Sequence, residues 1–98
     1  MHNLILEITD SAIEDMSVIF SYIAQDNKQA AQELISVFYK AFDNLLLFPN
    51  SGFKSKKYFK HDVRVCIIAK HYQIFYYVKN NQLYIQRILT GYQDIFDI

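Results

Sequence analysis

Val63-Arg64-Val65-Cys66-Ile67-Ile68-Ala69-Lys70-His71-Tyr72-Gln73-Ile74-Phe75-Tyr76-Tyr77-Val78-Lys79-Asn80-Asn81-Gln82-Leu83-Tyr84-Ile85-Gln86-Arg87-Ile88-Leu89 decides the fold of this chain. Val63, Val65 and Ile67 alternate with Arg64, Cys66 and Ile68, and Tyr72, Ile74, Tyr76 and Val78 alternate with Gln73, Phe75 and Tyr77. A period of two is that of a β-strand, whose successive side chains point to opposite faces. Lys79-Asn80-Asn81-Gln82 predicts a tight turn, because Asn tolerates positive φ, and the strand Leu83 to Leu89 follows directly. Residues 63–89 therefore read as a three-stranded antiparallel meander, and its apolar face needs a cover.

The preceding residues supply that cover. Leu4-Ile5-Leu6-Glu7-Ile8 is a short strand ended by Thr9-Asp10-Ser11. Ser11 and Glu14 have the capping-box spacing, which predicts a helix start. Ile13, Met16, Ile19, Phe20 and Ile23 give that helix one apolar face, opposite Glu14, Asp15 and Ser21, with an end near Gln25. Asp26-Asn27 offers a second N-cap, and Ala31, Leu34, Ile35, Phe38, Phe42, Leu45 and Leu46 repeat the spacing until Phe48-Pro49 stops it. Asn50 to Asp62 is polar and basic with three aromatics, the pattern of a surface loop. The expected fold is α+β in the order β-α-α-β-β-β, a helical hairpin packed on a small antiparallel sheet, with residues 1–98 forming one domain.

Composition agrees with one compact core: 98 residues, 52% hydrophobic and 16% aromatic, exceed what a disordered chain carries. Two Gly and one Pro leave little material for long loops. One cysteine, Cys66, excludes an intrachain disulfide and a multi-Cys zinc site and suits a reducing compartment, so the cytoplasm is the expected location. The N-terminus has no basic signal region, and no uncharged apolar run approaches the roughly 20 residues of a membrane span.

Ten basic and ten acidic residues cancel overall but are unevenly placed. Residues 1–49 hold seven acids and two bases, whereas residues 50–90 hold eight bases, Lys54, Lys56, Lys57, Lys60, Arg64, Lys70, Lys79 and Arg87, against Asp62. A cationic second half would face an anionic partner, or its lysines simply solvate a loop. Arg64 and Arg87 lie inside strand patterns, where an arginine is either a structural ion-pair partner or a forked donor for an anionic ligand.

The chain has no Gly-rich phosphate loop, no His-Glu-x-x-His and no nucleophile elbow, so no cofactor and no metal are expected. Cys66 reads as a structural cysteine within a strand, and His61 and His71 as surface histidines at strand ends that could also serve as acid or base. Tyr72, Phe75, Tyr76, Tyr77 and Tyr84 could stack on bases, although core packing explains them more simply.

Taken together, several stretches resemble the RelE/ParE toxin superfamily: Ala12 to Met16 through Tyr22-Ile23-Ala24, Leu45-Leu46-Leu47-Phe48-Pro49-Asn50-Ser51-Gly52, Val63-Arg64, Tyr72 to Val78, and Arg87 to Ile95. The resemblance runs in order from about residue 8 to 95 and implies the same β-α-α-β-β-β fold. It implies the toxin half of a bacterial type II toxin-antitoxin module of plasmid-stabilisation type, a growth inhibitor held by a cognate antitoxin in a hetero-oligomer. An exposed sheet edge and an apolar groove would suit such a partner.

One branch of the superfamily cuts mRNA on the ribosome with Arg, Lys and Tyr or His; the ParE branch is associated with DNA gyrase and has no assigned catalytic residues. Where the ribonucleases usually carry a mid-strand Arg this chain has Gln73, and it continues Thr90-Gly91-Tyr92-Gln93-Asp94 where another Arg and the Tyr would come. The expectation is therefore a ParE-like toxin that binds its target, with Lys54, Lys56, Lys57, Lys60, Arg64, Arg87 and Tyr92 as contacts, along with the following residues to Ile98. Thr90 stands where such toxins commonly have His, and Tyr92 where they have a basic residue. An mRNA interferase would instead draw on Lys57, His71, Arg87 and Tyr92, and a third reading is a non-toxic member that still binds antitoxin.

Overall fold

The computed structural model describes residues 3–55 and 62–90. Its elements are β1 (Ile5–Ile8), α1 (Asp10–Ala24), α2 (Lys28–Leu47), β2 (Phe53–Lys54), β3 (Arg64–Ile68), β4 (Tyr72–Lys79) and β5 (Gln82–Thr90). The two helices pack on one five-stranded sheet of order β1-β5-β4-β3-β2, so the expected α+β fold is present. Its sheet is mixed rather than wholly antiparallel. β1 runs parallel to β5, with Ile5 opposite Gln82 and Ile8 opposite Ile85. The expected basic loop contributes β2, two residues paired with Arg64 and Val65 at the other margin.

The helix boundaries follow from caps. Asn27 accepts a hydrogen bond from the Ala30 backbone N–H at 3.0 Å and starts α2 as expected. Phe48 closes α2 immediately before Pro49. At α1, however, the cap is Thr9 and not the Ser11–Glu14 box. Thr9 Oγ1 accepts from the Ala12 N–H at 3.2 Å and lies 2.8 Å from the carbonyl of Ile85 and 3.0 Å from that of Gln86, both within donating range. The hydroxyl thus ties the helix start to β5, a contact no local spacing reveals.

The core lies between helices and sheet. Ala12 and Met16 of α1, Phe38, Phe42 and Leu45 of α2, and Ile74, Tyr76, Leu83, Ile85 and Ile88 of the sheet are buried. Burial of side chains of this size contributes about 1.5–3 kcal/mol each, which offsets the cost of ordering the chain. Phe38 meets Tyr72 edge-on at 5.5 Å. The apolar face of α1 is rotated from the expected one: Ile13 is 50% exposed, Ala12 is fully buried, and Asp15 turns toward the sheet. Ala12 and Asp15 thus both lie on the sheet side of α1, with Asp15 bonded to Arg87 and Ile88 of β5.

A β-bulge between Phe75 and Tyr76 leaves Gln86 as the extra residue of β5. The meander turns at Asn80 and Asn81, with φ of 52° and 65°, as expected for Asn. Ala69 and Lys70 also adopt positive φ, 49° and 72°, before His71, a conformation their side chains disfavour. Cys66 is half-buried against the core, and burial pushes its thiol above the ordinary value of 9.0.

Candidate functional site

β5 is nine residues long, but β1 covers only Gln82 to Ile85. Beyond the bulge its outer margin is bordered by α1, and the space between them is a groove of about 820 Å³. Glu14, Asp15, Val18, Ile19 and Tyr22 of α1 form one wall; Arg87 to Thr90 form the other, with His71 and Tyr72 at one end. Val18 is 61% and Tyr22 74% exposed, so the helix presents apolar surface to the groove.

Asp15 latches the two walls together. Arg87 Nε donates to Asp15 Oδ2 at 2.7 Å and Nη2 to Oδ1 at 3.0 Å, the forked geometry in which arginine binds carboxylate best. The Ile88 backbone N–H also donates to Asp15 Oδ2, at 2.9 Å. One carboxylate thereby satisfies a guanidinium and an N–H that β1 leaves unpaired. The Asp15 hydrogen bonds raise the Arg87 pKa above its ordinary value, with the nearby charges of Asp15 and Glu14 acting in the same direction against burial.

A second arrangement fixes the turn after α2. Tyr76, fully buried, donates from its hydroxyl to the Pro49 carbonyl at 2.8 Å and accepts from the Gly52 N–H at 3.0 Å. Arg64 Nη1 donates to the carbonyls of Gly52 at 2.8 Å and Asn50 at 3.4 Å. Gly52 has no room for a side chain: a Cβ there would stand 2.6 Å from the Val65 carbonyl oxygen and 2.7 Å from the Tyr76 hydroxyl. Burial raises the Tyr76 pKa, opposed by the Gly52 hydrogen bond and the Arg64 charge.

Of the residues singled out in the sequence, the two described arginines lie apart. Arg64 and Arg87 oppose Tyr76 and Phe75 on either side of β4 and turn to different partners, Arg64 to the 50–52 backbone and Arg87 to α1. Lys54 is exposed on β2, while Lys56, Lys57, Lys60, His61 and Tyr92 lie outside the described residues, as does the stretch to Ile98. His71 and Arg87 share the groove, and the His71 ring packs 4.7 Å from Tyr72. Gln73, in place of the ribonuclease arginine, is 8% exposed, and its Oε1 has no hydrogen-bond partner among the described residues. Tyr77 and Tyr84 stack on each other at 4.9 Å, so neither offers both ring faces to a base.

Asp15, Thr9 and Gly52 carry this geometry without having been singled out. Asp15 had a faint signal, since an arginine inside a strand pattern needs an acceptor and the first helix holds the nearest acids. Among the described residues no His, Cys, Asp and Glu side chains cluster closely enough to hold a metal ion, and no helix is long and apolar enough to cross a membrane.

The profile of the family described as ParE toxin of type II toxin-antitoxin system, parDE, matches residues 6–95. Among solved structures, a chain of the chromosomal ParDE toxin-antitoxin system from P. aeruginosa superimposes with a TM-score of 0.75 at 20% identity, covering 92% of this chain and 98% of that one. The sequence matches none of the curated proteins.

Proposed function

We propose, for a chain that belongs to the ParE toxin family of type II toxin-antitoxin systems, that it arrests growth from the cytoplasm by binding DNA gyrase without cleaving a substrate. The family match over residues 6–95 carries the toxin reading. Binding rather than cleavage is favoured because, among the described residues, the arginine lining the groove, Arg87, is already paired with Asp15. A phosphorane-like transition state needs fixed positive charge beside it, worth several kcal/mol. Here Gln73 is neutral, and Arg87 is already neutralised by Asp15.

Lys54, Lys56, Lys57 and Lys60 supply the positive field toward the target, and Tyr92 adds a contact. Arg64 contributes charge but acts chiefly by holding the backbone of residues 50–52, and Arg87 acts by holding Asp15. A cognate antitoxin takes the groove between α1 and β5. Its apolar lining suits an amphipathic segment, and a concave site of this size buries several side chains at once.

The test uses purified protein in a gyrase supercoiling assay and in a translating-ribosome assay with primer-extension mapping. Supercoiling should be inhibited and mRNA left intact. Codon-specific cuts with normal supercoiling would overturn this reading in favour of a ribonuclease built on Lys57, His71, Arg87 and Tyr92. Arrest on induction, relieved by the product of the adjoining small gene, separates an active toxin from a non-toxic relative.

A further inference from the structure

The five most exposed large apolar side chains among the described residues fall in two places, with Ile5 of β1 next at 58%. Val18 and Tyr22 line the groove; Leu47, Phe48 and Phe53, at 74%, 59% and 65%, flank the turn after α2. Apolar side chains in water contribute nothing to folding, yet the turn that carries these is held by several separate contacts. Ser51 N–H closes it onto the Phe48 carbonyl at 3.1 Å, Tyr76 and Arg64 clamp the backbone of residues 49–52, and the packing admits only glycine at 52. β2 then holds Phe53 and Lys54 in register with β3.

A rigid backbone carrying wet apolar side chains has lost its conformational freedom before any partner arrives, which is how a preorganised contact gains affinity. The surrounding charge selects the partner. Lys54 follows Phe53, with Lys56, Lys57 and Lys60 next in sequence, and the nearest acids in sequence are Asp43, one helical turn before Leu47, and Asp62. The turn sits at the β2–β3 margin of the sheet, across from the groove beside β5.

We propose that Leu47 to Lys54 is a preformed docking element for an acidic protein surface with an apolar cleft, on the toxin's target and not on its antitoxin. This rests on the target-binding reading above. Phe48 and Phe53 are the anchors, and the lysines guide approach.

The test compares wild type, Phe48→Ser/Phe53→Ser and Lys54→Glu for growth arrest on induction, inhibition of purified gyrase, complex formation with the co-expressed antitoxin, and melting temperature. The double variant should need at least about tenfold more protein for arrest and for gyrase inhibition. Its melting temperature and antitoxin complex should be unchanged. Lys54→Glu should shift inhibition in the same direction, by less, and with a weaker salt dependence.

Undiminished arrest in both variants overturns the proposal while leaving the toxin reading intact. A wild type that arrests growth without affecting gyrase retires gyrase alone, provided arrest is still lost in the double variant. A wild type that does not arrest growth overturns both readings. If a fluorescent 20-nucleotide single-stranded RNA binds wild type and not the double variant, the occupant is nucleic acid and the protein assignment fails. If the wild type sediments as a dimer and the double variant as a monomer, the turn is a self-interface. Should the double variant melt early, Lys54→Glu decides, since Lys54 is exposed and its substitution leaves the core untouched.

Discussion

At the β5 margin of the sheet, Arg87 is held by a carboxylate, and its side chain remains 42% exposed. At the β2–β3 margin, Arg64 and the buried Tyr76 hydroxyl hold neutral backbone carbonyls and an N–H. The sequence presents both arginines alike, as cations inside strand patterns. Their surroundings make them different: water can replace much of what Asp15 gives Arg87, whereas little can replace what Tyr76 gives the turn. The stronger-looking bond, an ion pair, is expected to be the softer of the two attachments.

That contrast breaks most visibly at Gly52. Gly52→Ala forces a Cβ against the Val65 carbonyl, which cannot move without disturbing β3, and should cost about 3 kcal/mol. Denaturant titration measures it; a loss under about 1 kcal/mol would mean the turn gives way easily. Tyr76→Phe keeps the ring but strands the Pro49 carbonyl and the Gly52 N–H, for an expected loss of about 2 kcal/mol by the same titration.

Asp15→Ala should cost less, about 1–2 kcal/mol, because the freed guanidinium rehydrates and the unpaired Ile88 N–H is the main penalty. Its gap from wild type should narrow in 1 M salt, while the Tyr76→Phe gap should not. Equal salt responses would erase the distinction between an ionic and a neutral attachment. The smallest effect comes from alkali. Cys66, Tyr76 and Tyr77 all have raised pKa values, caused chiefly by burial. Their contribution to stability is complete below the ordinary values of 9.0 and 10.0 and declines as pH rises through the higher folded values. Denaturation midpoints should therefore begin to fall above about pH 9, less steeply in Tyr76→Phe.

Periodicity made the meander, both helices and their α+β packing legible, since the alternation of Tyr72 to Val78 and the spacing of Ala31 to Leu46 are local signals. Contacts between distant residues were not legible. Thr9 caps α1 because the carbonyls of Ile85 and Gln86 arrive beside it, while Ser11 and Glu14 have the better local spacing. Asp15 looked like part of a solvated face until β5 placed Arg87 opposite. The pairing of Phe53 and Lys54 with β3 was invisible because two residues carry no period. For the expected contact residues, charge and order were legible, but not that Arg64 and Arg87 are already engaged.

The pairing of β1 with β5 has a consequence for how the protein is made. β1 is made before both helices and its strand partner β5 after the other described strands, so the hairpin of helices can form early while the sheet cannot close. A product cut short before Gln82 lacks the groove wall, the Asp15 latch and the neighbour of β1 alike. Synthesis order thus acts as a timer: the groove between α1 and β5 cannot assemble until residues 82–90 have been made, and fragments that stop short of them lack it.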